Sequence, residues 1–248
     1  MDTLSQETPF AMNAVPPTAL TQPAPPLRYF DDYLNAPDFP RNFMPLTEPL
    51  GTRLGLPEHP DELGLVCANV EKSVEELQNR YPGMGPFFIG QGAPERFIEL
   101  GESKHFETRV AFGYYRGTLI EIAEVGHGSD FFAPALDPGG RVTVHHLGFY
   151  ARGNNLRRRL NGETHYFADR LYGGGHRVLA RALVSALGFL GRITVFDTTA
   201  DTEGNIPIEF LDFRLLWETG IPVPLPNWAL SAVARYQMKH GPRIYTLG

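Results

Sequence analysis

The feature that most restricts how this chain can fold is a short motif that occurs twice. Glu62-Leu-Gly-Leu-Val is echoed by His146-Leu-Gly-Phe-Tyr, and Gly117-Thr-Leu-Ile-Glu121-Ile by Gly204-Asn-Ile-Pro-Ile-Glu209-Phe. The spacing nearly agrees, 62 to 146 in the first pair and 121 to 209 in the second. A repeat at near-constant spacing implies two similar units, each burying its apolar face against the other. Four polar residues at matched points, Glu62, Glu121, His146 and Glu209, then converge near a pseudo-twofold axis.

The stretches around the two copies read alike. Glu62 to Ala68 suits a buried strand, and Asn69 caps a helix over Val70 to Tyr81 that Pro82 stops. Phe87–Gly90, Phe97–Leu100, His105–Tyr115 and Thr118–Val125 follow as strands, with Arg116-Gly117 as a tight turn. After a loop from Gly126 to Arg141 the order restarts with a strand from Thr143. A helix from about Asn154 to Tyr172 ends at Gly173-Gly174-Gly175, and strands follow at Gly191–Thr198 and Ile206–Phe213. Arg177 to Leu187, of mixed periodicity, is compatible with helix or strand.

Residues 1–27, with Pro9, Pro16, Pro17, Pro23, Pro25 and Pro26 among small and polar residues, are expected to form a disordered tail. Residues 28–60 bring aromatics back, but Pro37, Pro40, Pro45, Pro49 and Pro57 interrupt regular elements, so an extended arm packed on the domain is expected. The domain spans 61–216, in halves 61–126 and 142–216. A linker and a helix beginning at Asn227 occupy 217–248; this helix docks on its own domain or, alternatively, serves as a dimer contact or cleft lid.

With 42% apolar residues among 248, the chain can build one sizeable core. A net charge of −6 gives no cationic field for nucleic acid or an anionic membrane, which leaves a small molecule as the expected partner. The single cysteine, Cys67, excludes an intrachain disulfide framework and sits in an apolar run as a structural thiol. No apolar stretch is long enough to span a membrane, and no secretory signal opens the sequence; the expected location is the cytoplasm.

Glu121 and Glu209 lie inside apolar strand sequences, where an unpaired carboxylate is costly and needs a cation or donors. Strict alternation places His146, Gly148 and Tyr150 on one strand face and His145, Leu147 and Phe149 on the other. Carboxylates with one imidazole suit one divalent metal ion: magnesium, manganese or ferrous iron, with zinc, nickel or cobalt open. The structural alternative is that the carboxylates pair with arginines and His146 is a satisfied core histidine. Arg157-Arg158-Arg159 reads as a solvated helix face, and Gly126-His-Gly-Ser-Asp as a turn.

Leu63-Gly-Leu-Val-Cys-Ala-Asn-Val-Glu, Gly85-Pro-Phe-Phe, Val110 to Glu121, His145-His-Leu-Gly-Phe and Asp201-Thr-Glu-Gly-Asn together resemble the vicinal oxygen chelate superfamily, in its glyoxalase and methylmalonyl-CoA epimerase-like branch. The resemblance covers roughly residues 60 to 215 and implies an α+β fold of paired βαβββ modules, the glyoxalase/bleomycin resistance/dihydroxybiphenyl dioxygenase-like fold, with a metal in the cleft. It implies Glu62, Glu121, His146 and Glu209 as ligands. Relatives present His or Gln where Glu62 stands, so Glu62 is a ligand, a base or part of a site that has lost its metal. Pro207 is one residue more than the pattern expects and threatens to bulge its strand.

These residues point to a metal-dependent isomerase, epimerase or lyase that abstracts a proton beside a metal-chelated carbonyl. Glu209 is the first choice as base, Glu62 the second, and Tyr150 a substrate contact. A ferrous ring-cleaving dioxygenase and a non-catalytic sequestering protein for a hydrophobic compound are the alternatives.

Overall fold

A computed structural model describes residues 26–150, 166–186, 189–215 and 226–240. Most of the expected tail, the start of the helix expected from Asn154, the Arg157-Arg158-Arg159 run and most of the linker lie outside the described residues. The strands are β1 (Glu62–Cys67), β2 (Phe88–Gly92), β3 (Arg96–Glu99), β4 (Glu102–Lys104), β5 (Thr108–Tyr115), β6 (Thr118–Glu124), β7 (Thr143–Tyr150), β8 (Val178–Ala186), β9 (Phe189–Phe196) and β10 (Ile208–Leu215). The helices are α1 (Phe30–Leu34), α2 (Leu50–Leu54), α3 (Val70–Arg80), α4 (Tyr166–Gly173) and α5 (Asn227–His240).

The strands form one sheet in the order β2-β5-β6-β1-β7-β10-β9-β8-β3-β4. Its middle shows the two modules. β1 runs parallel to β6 in the first, β7 parallel to β10 in the second, and β1 and β7 join them antiparallel. Within a module the chain runs strand, helix, then three strands, so the first strand pairs with the last. Of the stretch from Arg177 to Leu187, ambiguous in sequence, Val178–Ala186 forms β8. The hairpin β3–β4 departs from this plan: it arises within the first module, yet β3 pairs with β8 of the second.

Local chemistry accounts for these elements. The Asn69 side chain accepts the backbone N–H of Lys72 at 2.8 Å, capping α3. Arg116 and Gly117 both have positive φ, 47° and 90°, as a two-residue turn between twisted strands demands. Pro207 precedes β10 and leaves its pairing with β9 free of bulges, so the displacement feared for Glu209 is not found.

Alternation sorts each central strand into two faces. Leu63, Leu65, Ile120, Ile122, Leu147 and Phe149 pack toward α3 and the N-terminal segment. That segment is not an extended arm: α1, a 3-10 turn over Arg41–Thr47 and α2 fit between the prolines, and Phe30, Phe43, Leu46 and Leu50 join the main core. Cys67 is fully buried there, and burial pushes its thiol up to about 11, so it is unreactive near neutral pH. On the other sheet face, Leu230 and Ala234 of α5 pack against Phe88 and Leu119. The Gln237 amide accepts the Ile89 N–H at 3.0 Å and donates to the Ile89 carbonyl at 2.8 Å, occupying the edge of β2. The C-terminal helix thus docks on its own domain.

Candidate metal centre

Strand register brings the matched residues together in two rows. Across β6, β1 and β7 run Glu121, Gly64 and His146; across β1, β7 and β10 run Glu62, Gly148 and Glu209. Each row has a glycine at its middle, for a steric reason. A Cβ on Gly64 would lie 1.9 to 2.3 Å from the His146 ring atoms, and one on Gly148 would lie 2.8 Å from the Glu62 Cβ. Thus Gly64, two residues after Glu62, makes room for His146, and Gly148, two residues after His146, makes room for Glu62.

One ligand atom from each of Glu62, Glu121, His146 and Glu209 falls within 4.8 Å of the others. His146 Nε2 is 2.8 Å from Glu209 Oε2 and 3.9 Å from Glu121 Oε2. The shorter contact lacks hydrogen-bond alignment, so His146 Nε2 stays unpartnered, as do the buried Glu62 Oε2 and Glu209 Oε1. Glu62, Glu121 and Glu209 pair with no arginine or lysine among the described residues, so the ion-pair alternative finds no support there.

The protons reflect this crowding. Burial drives the Glu62 carboxyl well above its ordinary value, and the charges of Glu121 and Glu209 push it further; Glu62 also hydrogen-bonds Glu121. Burial raises Glu121 as well, against the lowering effect of its bond to Glu62. Burial opposes charge on His146, but the Glu209 and Glu121 carboxylates outweigh it and raise its pKa. Three inward carboxylates and an imidazole, with three buried atoms lacking partners, fit a divalent cation.

His145 is where strict alternation fails. The pairing of β1 with β7 shifts between Gly64 and Leu65, leaving His145 as an extra residue between His146, opposite Gly64, and Val144, opposite Leu65. The bulge turns His145 off the helix-facing side and onto Phe131 and Phe132, with ring centroids 4.8 and 5.0 Å away. Its Nε2 lies 3.1 Å from the Phe131 carbonyl and its Nδ1 2.9 Å from His146 Nδ1. A carbonyl only accepts, so Nε2 of His145 carries the proton. Burial and His146 lower the His145 pKa to about 3, so its Nδ1 is free to accept from His146 Nδ1–H. With Nδ1–H given to His145, Nε2 faces the carboxylates, whose charge favours a proton there in the metal-free protein; when that proton leaves, the Nε2 lone pair is the one a metal ligand needs. We expect His146→Ala to remove the metal and His145→Ala to weaken binding by about 10- to 100-fold, read by metal titration. Equal losses would show that the two rings act as one unit or that the ligand set is wrong.

Tyr150 is buried against Leu211, with Val184 and Ile193 beside it, and is not among the residues lining the cavity over the centre. The Gly126–Asp130 loop serves the architecture, because Ser129 Oγ donates to Glu99, which also pairs with Lys104, and the loop is thereby tied to the β3–β4 hairpin. Sequence reasoning missed His145 and the cavity's phenylalanines, whose only local signal was the Phe131-Phe132 pair. No helix among the described residues is long and apolar enough to cross a membrane.

No protein-family model and no curated protein matches the chain. Solved structures similar to it include methylmalonyl-CoA epimerase from Mycobacterium tuberculosis, at 16% identity and TM-score 0.35, covering 61% of this chain and 85% of that one. A hypothetical protein from Bacillus halodurans matches at 12% identity and TM-score 0.36 over 61% and 91% of the two chains. A mutant 4-hydroxymandelate synthase from Streptomyces coelicolor matches at 12% and TM-score 0.37 over 73% and 54%. Likeness at this level does not extend to activity. By its own strand order and register, with β1 beside β6, β7 beside β10 and the two modules joined at β1–β7, this chain has the paired βαβββ fold of the vicinal oxygen chelate superfamily.

Proposed function

We propose that Glu62, Glu121, His146 and Glu209 hold one divalent metal ion and that the protein is an isomerase, epimerase or lyase acting beside a carbonyl. The observation that carries this reading is the meeting of three unpartnered buried atoms, Glu62 Oε2, His146 Nε2 and Glu209 Oε1, in one four-residue cluster. A divalent cation there supplies Lewis-acid stabilisation to neighbouring substrate oxygens. The protein's own part is to hold the substrate in an apolar cavity and to take the proton from its acidic carbon on Glu209 or Glu62. The ring-cleaving alternative is less well supported, because both ring nitrogens of His145 are engaged and the cluster offers one imidazole.

Glu62→Gln and Glu209→Gln separate base from ligand. The readouts are metal content and hydrogen–deuterium exchange at the carbon beside the carbonyl of hydroxyacetone and 2-hydroxyacetophenone. The variant lacking the base is expected to keep metal and lose about 10²- to 10⁴-fold in exchange rate. The other is expected to bind metal less tightly. Unchanged metal and exchange in both variants would overturn the catalytic reading.

A further inference from the structure

The cavity over the cluster is built from both modules. β5 contributes Val110 and Phe112, and β9 contributes Ile193 and Val195. Phe97 of the crossing hairpin, Phe106, Phe131 and Phe132 form an aromatic wall, with Phe97 and Phe106 centroids 4.8 Å apart and Phe131 and Phe132 4.9 Å apart. Leu230 of α5 lines it too.

Two properties of this lining restrict an occupant. The first is charge. Apart from the four cluster residues, the only polar side chain among the described lining residues is Thr108, whose hydroxyl donates to the Glu124 carbonyl at 2.8 Å. No lysine or arginine is among the described lining residues, so an anionic group would meet three glutamates whose charge one divalent cation offsets only in part. The second is size. The enclosed part of the cavity measures about 110 Å³, the same order as the roughly 150 Å³ closed apolar cavity that accepts benzene, and it opens on one side, so it surrounds about one ring. A coenzyme A thioester would have to leave most of its length outside the phenylalanine wall.

We propose that the substrate is an uncharged molecule of about one aromatic ring, with its ring among the phenylalanines and its oxygens at the cluster, and that Leu230 sets the size limit. The proposal rests on the metal-centre reading for the placement of the oxygens. Ring edges and faces of the four phenylalanines suit another ring better than a flexible aliphatic chain. Fixing Leu230 in the wall are Phe88 and Leu119 beneath α5, together with the Gln237 bonds to Ile89.

The test is calorimetric titration of the protein with its metal bound, using 2-hydroxyacetophenone, its carboxylate counterpart benzoylformate, the two-ring 1-(2-naphthyl)-2-hydroxyethanone and propionyl-CoA. We expect 2-hydroxyacetophenone to bind at least about tenfold more tightly than the other three, an affinity gap of about 1.4 kcal/mol. Leu230→Trp is expected to abolish its binding with metal content unchanged, and Leu230→Ala to admit the naphthyl probe. If Leu230→Trp does not fold, the Leu230→Ala gain decides. Tighter binding of benzoylformate or propionyl-CoA, or no change in size preference in Leu230→Ala, overturns the proposal. Failure of the two readings is distinguishable. Ring binding without deuterium exchange leaves the cavity assignment standing and removes the catalytic one, whereas exchange in hydroxyacetone without ring binding does the reverse.

Discussion

Gly64→Ala is expected to lose the metal centre and to destabilise the protein by about 3 kcal/mol or more, seen as a fall in melting temperature of roughly 6–12 °C. The added methyl would lie 1.9 Å from the His146 Cε1, inside the atom rather than beside it. The ring has nowhere to go: it is 1% exposed, held at Nδ1 by His145, and flanked by Glu209. Either β1 moves off β7 or the imidazole leaves the cluster, and both scatter the ligands. Removing the ring should relieve the clash, so Gly64→Ala combined with His146→Ala is expected to be more stable than Gly64→Ala alone. Gly148→Ala should be milder, since its nearest obstacle is the Glu62 Cβ at 2.8 Å. A melting temperature within about 2 °C of the parent for Gly64→Ala would disprove the row geometry.

Those glycines also explain how much of the molecule could be read from sequence. Glutamate or histidine, then leucine, then glycine is a local pattern, and its repetition carries the module, the pseudo-twofold axis and the four converging side chains. Other features depend on distant pairing and leave little local trace. The bulge at His145 arises because β7 carries one more residue than β1 across that stretch, which alternation along β7 alone cannot show. The choice of β8 as partner for β3 is likewise made by a strand far along the chain. Tyr150 shares strand parity with His146, yet lies behind Leu211, because parity fixes the face and not the depth.

The second large effect is a pH dependence that reverses when metal is added. Glu62, Glu121 and His146 all hold their protons more tightly in the folded protein than in the unfolded chain. Where the folded state binds more protons, stability falls as pH rises. Their contribution is therefore complete below the ordinary values of 4.5 for the carboxyls and 6.5 for the imidazole, and is lost as pH climbs through the raised ones. The metal-free protein is expected to melt at a lower temperature at about pH 8 than at about pH 6. A cation displaces those same protons, so its affinity must rise with pH. At a hundredfold excess over its dissociation constant it adds about 2.7 kcal/mol of stability. Melting curves with chelator and with manganese across that range give one measurement. Calorimetry in buffers of different ionisation enthalpy counts the protons released. A flat chelator profile with no proton release would mean that the cluster does not exchange protons for metal.

The clasp between Gln237 and Ile89 has a consequence for self-association. On its inner side β2 pairs with β5; on its outer side the backbone N–H and C=O of Ile89 are taken by one amide side chain of α5. A sheet rim with open backbone groups is a template on which another strand can add. Replacing Gln237 by alanine opens that rim at Ile89, and removing α5 would also uncover Phe88 and Leu119 beside it. The helix therefore covers the edge at which β2 could take up another strand, and its loss is expected to give a sedimentation coefficient that rises with protein concentration.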